Sequence, residues 1–231
     1  MIFKQFFDEV SCTYTYLLSS GRGREALIID PVLEKTDEYI SSLKKLGLKL
    51  VKVIDTHIHA DHISGMKELH KQTDCANIMG ENSPSEVVNI KVKDNEKIKI
   101  ENIELTSMYT PGHTDCSYSF LMKDRIFTGD TLLINGTGRT DFQNGNPIDQ
   151  YHSLFDRILK LPEKTFVYPA HDYKGNKVST IGQQKHTNPR LQVHSSNQYA
   201  ELMNSLNLPN PKMMDVAVSA NIKGKTLDHK N

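Results

Sequence analysis

Short apolar runs broken by Gly, Pro, Thr or Asp recur along the chain, and most are too short for helices. "CTYTYLLSS" (12–20) alternates in the manner of a half-buried strand, and "EALIIDP" (25–31) predicts a short buried strand stopped by Pro31. In "KTDEYISSLKKLG" (35–47) the period lengthens, placing Ile40, Leu43 and Leu46 on one helical face with Gly47 as the stop. "LKLVKVIDTH" (48–57) predicts the next strand, and "SGMKELHKQTD" (64–74) a helix with Ser64 as its cap. "NIELTSMYTPGH", "CSYSFLMKD" and "RIFTGD" predict successive strands between 102 and 130. "NPIDQYHSLFDRILKLP" (146–162) predicts one amphipathic helix, with Pro147 in its first turn and Pro162 at its end. "KTFVYPAHDY" (164–173) predicts another strand, and the tail is mostly helical, with Ser195 and Gln198 spaced as a capping box. Strands alternating with helices indicate an α/β protein, while the run of consecutive strands argues against a purely parallel, doubly wound sheet.

Composition narrows the function classes. Lys+Arg and Asp+Glu both number 28, so the formal net charge is zero, which gives no footprint for nucleic acid or an anionic membrane. No apolar run approaches the ~18 residues of a membrane span, and "MIFKQFFDEVSC" lacks the clean apolar core of a signal peptide. Three scattered cysteines, Cys12, Cys75 and Cys116, suit a reducing cytoplasm better than a disulfide framework. At 231 residues, with no repeat or linker, the expectation is a single domain spanning 1–231, with 186–231 as a helical tail packed on it.

The chemistry collects where the apolar runs end. "DTHIHADH" puts His57, His59, Asp61 and His62 after one strand; His113 follows a second in "YTPGHT", Asp130 a third in "FTGDT", and His171 a fourth in "YPAHDY". Imidazole and carboxylate without cysteine suit zinc, iron, manganese or nickel. A lone loop histidine is usually solvated, but four recurring strand-end positions plus H-x-H-x-D-H point to a metal centre. His70, His152, His186, His194 and His229 lie on helices or in the tail and read as surface or cap residues.

"THIHADH", "TPGHT", "FTGDT" and "YPAHD" together resemble the metallo-β-lactamase superfamily, which implies an αββα sandwich of two mixed β-sheets with the metal at one edge. "GTGRTDFQNG" (136–145), "YPAHDYKG" (168–175), "STIG" and "NPRL" further resemble the persulfide dioxygenases within it. Cys116 stands where relatives often carry Gly or Asp, and Thr137 where some carry Cys; neither is an implied ligand. The resemblance implies one Fe(II) per chain held by His57, His113 and Asp130, oxidising glutathione persulfide with O2 to sulfite and glutathione. Asp30, Asp55 and His59 become candidates for orienting the imidazoles, with ordinary turn chemistry as the rival role for Asp30. Arg139, Tyr173 and Arg190 are candidate glutathione contacts, because a planar cation and a hydroxyl suit its two carboxylates. For Arg139 the rival is an ion pair with Asp141, for Arg190 a structural role, and for Cys116 that of a small buried residue.

The alternative is a binuclear zinc thioester hydrolase of the hydroxyacylglutathione hydrolase (glyoxalase II) kind. It would use His57, His59 and His113 for one ion, Asp61, His62 and His171 for the second, and Asp130 as the bridge. A non-catalytic metal or sulfide sensor is a third reading, without a basic or adhesive feature to support it. A homodimer is compatible with the sequence and is not specified by it.

Overall fold

The computed structural model describes residues 1–209 and 213–225. These fall into two compact units, residues 1–92 with 98–104 and 213–225, and residues 93–97 with 105–209. Among the described residues no helix is long and apolar enough to cross a membrane.

The first unit carries a mixed six-stranded sheet in the order β1-β2-β3-β4-β5-β6. Its strands are β1 (Ile2–Asp8), β2 (Thr13–Ser19), β3 (Glu25–Ile29), β4 (Lys49–Ile54), β5 (Ala76–Gly80) and β6 (Ile90–Val92). β1, β2 and β3 pair antiparallel, whereas β3 to β6 pair parallel. Parallel strands are covered on both faces and read as continuous apolar runs, which is why "ALII" of β3 is buried throughout. β2 departs from its expected half-burial, since all seven residues are buried. Its polar positions are satisfied internally: Thr15 Oγ1 lies 2.6 Å from the Asp30 carbonyl and 2.9 Å from the Tyr39 hydroxyl.

Helix α1 (Thr36–Leu46) ends as its sequence predicts, with Gly47 left-handed at φ 68°. The Leu48 N–H donates to the Leu43 carbonyl and that of Gly47 to Lys44, which closes a Schellman motif. The buried face differs from the expected one. Thr36, Tyr39 and Leu43 form it, while Ile40 and Leu46 sit at its margin, because the Tyr39 ring reaches the core. The cap of helix α2 (Met66–Thr73) is Gly65 rather than the expected Ser64, whose Oγ accepts from the Met66 N–H at 3.1 Å from one position further out.

The second sheet runs β12-β11-β10-β9-β8-β7 and is also mixed. Its strands are β7 (Lys97–Ile100), β8 (Ile103–Tyr109), β9 (Tyr118–Leu121), β10 (Arg125–Gly129), β11 (Phe166–Pro169) and β12 (Ser179–Thr180). β10 and β11 pair parallel, whereas β8 with β9, β9 with β10 and β11 with β12 pair antiparallel. Helix α3 (Pro147–His152) is capped by Asn146, whose Oδ1 accepts from the Ile148 N–H at 2.9 Å. The single helix expected over 146–162 is broken: a π turn (Ser153–Arg157) and a 3₁₀ turn (Ile158–Lys160) follow α3. Helices α4 (Ile181–Thr187) and α5 (Ser196–Asn204) complete this unit, and α6 (Met214–Lys223) belongs to the first. Ser195 caps α5, its Oγ accepting from the Gln198 N–H at 3.3 Å, but the reciprocal bond of the expected capping box is displaced by one residue, since Gln198 Oε1 accepts from the His194 N–H at 2.8 Å. Ile126, Leu154, Ile158, Val167, Ile181 and Tyr199 centre the core of the second unit. Each such side chain contributes about 1.5–3 kcal/mol of burial.

Candidate metal centre

In the first unit, Asp30 and the Asp55–His62 loop leave the C-terminal ends of the adjacent parallel strands β3 and β4. Asp30 is buried and turns in the left-handed region at φ 51°, so it serves both roles expected of it. Its Oδ1 accepts from the Thr56 N–H at 2.7 Å and its Oδ2 from the Thr56 hydroxyl at 3.0 Å. That hydroxyl lies 2.9 Å from His57 Nδ1. With its proton given to Asp30, Thr56 Oγ1 accepts from His57 Nδ1–H, which selects the tautomer carrying a lone pair on Nε2. His59 Nε2 lies 3.2 Å from Asp30 Oδ1, so one carboxylate orients both imidazoles. Burial pushes the Asp30 carboxyl up to about 6, against the opposing pull of His57 and the Thr56 hydrogen bonds. Burial, and then the Asp30 charge, hold the Asp55 carboxyl well above its usual range. Asp30, Asp55 and His59 each offer a ligand atom within 4.8 Å of the others, a buried cluster behind the loop.

The other half of the motif is tied to β2. Asp61 Oδ2 accepts from the Thr13 hydroxyl at 3.2 Å and lies 3.0 Å from His62 Nδ1. The His57 and His59 ring centroids are 4.2 Å apart, and those of His59 and His62 are 4.3 Å apart.

In the second unit the same arrangement recurs, because Asp130 and His171 follow the adjacent parallel strands β10 and β11. Gly129 turns the chain at φ 52°, and the Ala170 N–H donates to its carbonyl at 2.9 Å. His171 Nδ1 lies 2.6 Å from Asp130 Oδ1, and His113 Nε2 lies 3.6 Å from Asp130 Oδ2. His113 is oriented by a backbone carbonyl: its Nδ1–H donates to the Arg139 oxygen at 2.7 Å, which leaves the Nε2 lone pair toward Asp130. Neutral imidazole nitrogens beside a carboxylate, with no thiolate, fit a divalent first-row metal.

The candidate substrate residues fall in three different settings. Arg139 pairs with both oxygens of Asp141 at 2.7 Å and lies over the Phe142 ring, so the structural ion pair forms. Tyr173 is 69 % exposed, with its ring 6.3 Å from that of His171 and nearly parallel to it. Arg190 donates to the carbonyl and hydroxyl of Thr137, and burial pulls its pKa down. Cys116 is buried, 3.3 Å from the Thr114 hydroxyl. His70 Nδ1–H donates to the Cys75 carbonyl at 2.7 Å, and His152 pairs with Asp156. His229 lies outside the described residues. Sequence reasoning missed Thr56 and Thr13, which hold His57 and Asp61. Thr56 carried a signal, as a hydroxyl beside the first ligand histidine; Thr13 carried none.

The family model of the metallo-beta-lactamase superfamily matches residues 10–86 and 80–171. Human mitochondrial persulfide dioxygenase ETHE1 is 40 % identical over 226 residues, covering 96 % of this chain and 88 % of that one. The chain belongs to the persulfide dioxygenase family of the metallo-β-lactamase superfamily. The crystal structure of ETHE1 from Myxococcus xanthus matches with a TM-score of 0.93 at 44 % identity, covering 96 % of this chain and 98 % of that one. The two mixed sheets flanked by helices are therefore the metallo-β-lactamase fold. Similarity to a hydroxyacylglutathione hydrolase from Dictyostelium discoideum is weaker, at 33 % identity over 170 residues, covering 69 % of this chain and 62 % of that one. For this persulfide dioxygenase family member, both the fold and the strand-end donors support a bound metal.

Proposed function

We propose that this protein is a persulfide dioxygenase, oxidising glutathione persulfide with O2 to sulfite and glutathione at one Fe(II) held by His57, His113 and Asp130. The observation that carries the proposal is the 40 % identity to human persulfide dioxygenase over 96 % of the chain. Two imidazoles and a carboxylate on one side of an ion suit non-haem iron oxygenases, because the opposite positions stay open. Iron supplies one-electron chemistry on O2 and a place for the persulfide sulfur. The chain's own share is orientation. Thr56 and Asp30 fix His57, the Arg139 carbonyl fixes His113, and His171 holds one oxygen of Asp130.

Glutathione contacts are assigned to Tyr173, Arg139 and Arg190, with Tyr173 the most accessible of the three. Tyr173→Phe is expected to raise KM several-fold at nearly unchanged kcat, as loss of a uniform binding contact does. A fall in kcat at constant KM would place the hydroxyl in the chemistry instead. On this reading residues 1–231 act as one metallo-β-lactamase-fold domain with 186–231 as its tail. A cytoplasmic setting suits three cysteines among which no disulfide forms.

The test is O2 uptake with glutathione persulfide on anaerobically purified protein, alongside metal analysis. Turnover is expected to consume O2 and to follow iron content. Thioester hydrolysis at equal rates without O2, by protein loaded only with zinc, would replace this reading with the binuclear hydrolase.

A further inference from the structure

We infer that Asn221, on α6, is a positioning residue for the metal-binding loop. The inference rests on the assignment of His57 as a ligand. Asn221 sits near the end of α6, and only 7 % of it is exposed. Its Oδ1 accepts from the Ser64 N–H at 2.8 Å, while its Nδ2 donates to the carbonyls of His59 and His62, each at 2.9 Å. One amide thus joins three backbone groups of the loop that carries H-x-H-x-D-H, using three of the four hydrogen bonds an Asn side chain commonly makes.

This arrangement is poorly explained by helix stability. Asn is a weak residue inside a helix, because its side chain competes for backbone bonds. A buried amide also costs about 1–3 kcal/mol wherever it is left unsatisfied. An apolar residue would suit the docking of α6 alone, since that docking has its own bonds. The Glu86 N–H donates to the Ile222 carbonyl at 2.8 Å, and Ser85 Oγ to the Asn221 carbonyl at 3.1 Å. What the Asn221 side chain adds is a fixed path for His59 to Ser64. The loop is otherwise tied just beyond this point, where the Leu33 N–H donates to the Ile63 carbonyl and that of Gly65 to Pro31. Upstream, Asp30 and Thr56 hold its start. Asn221 therefore holds the backbone of the stretch that follows His57 directly, where Asp30 and Thr13 tie only side chains.

The test compares metal affinity, by anaerobic chelator competition with Fe(II) and with Zn(II), in wild type, Asn221→Ala, Ser85→Ala and His57→Ala. Thermal midpoints of the metal-free proteins are measured in parallel. Asn221→Ala is expected to weaken metal binding by about 10-fold, the lower end of the range for losing a direct partner of a ligand, because it acts through the loop backbone. Ser85→Ala loosens the same helix without touching the loop and is expected to keep wild-type affinity. Wild-type affinity in Asn221→Ala would overturn the inference. So would an equal loss of affinity in Ser85→Ala with a matching fall in thermal midpoint, which would assign the effect to helix docking. Should Asn221→Ala not fold, Asn221→Asp replaces it; its carboxylate has no proton to donate to the two carbonyls, and the same loss is expected. Metal retained by His57→Ala would instead overturn the ligand assignment, while the Asn221 variants are still read against wild type.

Discussion

Alanine at His57, His113 or Asp130 is expected to yield protein without its metal and without persulfide turnover. On the proposed ligand set each replacement would remove one of three protein bonds to the ion, so the loss should exceed the ~10–100-fold that follows removal of an outer partner. His62→Ala and His171→Ala are expected to behave differently, keeping about one ion per chain while activity falls within that range. The basis is the proposed ligand set, which leaves both outside it; His62 bonds through Nδ1 to Asp61 and Thr13, and His171 through Nδ1 to the Asp130 oxygen at 2.6 Å. Metal analysis of the five purified variants decides it. Near-full metal in any of the first three would show that the ligand set is misassigned. Two ions in wild type, with one left in His62→Ala, would promote the binuclear reading.

The second large effect is expected at Gly138. A Cβ there would lie 2.4 Å from the Asp130 carbonyl oxygen and 2.8 Å from the His113 ring. The Gly138 N–H also donates to that same carbonyl at 2.7 Å, so the two segments cannot separate without losing the bond. Gly138→Ala should cost about 1–3 kcal/mol through overpacking, which lowers Tm by roughly 2–12 °C in a chain of this size. Because His113 and Asp130 are both displaced, metal content should fall further than stability alone implies. Calorimetry and metal analysis together check this; a variant with wild-type Tm and full metal would show that the backbone gives way freely.

The strand-end donors were legible because each apolar run stops abruptly at a polar residue, and the strands that carry them are continuous enough to recognise. Expectations for β3, β4, β8, β10 and β11 rest on such runs. The strands β5, β6 and β7 escaped because "ANIMG", "IKV" and "KIKI" are too short for a period to establish itself. β1 escaped because its phenylalanines follow no alternation, and its burial is correspondingly irregular. Polar residues on β2 suggested a solvent-facing side, yet Thr13 and Thr15 face buried polar partners of the site and its surroundings. Such burial depends on residues distant in sequence, as with Thr13 and Asp61, 48 positions apart. The π turn after α3 is equally invisible to a helical period, which continues smoothly through it.

Synthesis runs from the N-terminus, and the loop at His57 to Ser64 leaves the ribosome long before the residue that braces it. Asn221 follows Ser64 by 157 positions. At bacterial or eukaryotic elongation speeds of about 5–20 residues per second, that interval lasts about 8–30 s. Throughout it the loop with its three closely spaced histidines lacks the Asn221 brace, and His113 and Asp130 follow Ser64 only after 49 and 66 further residues. An ion captured before Asp130 is made meets an incomplete set of the proposed donors, and one captured later meets a loop not yet braced, so on the inference for Asn221 full affinity belongs to the finished chain rather than to the growing one.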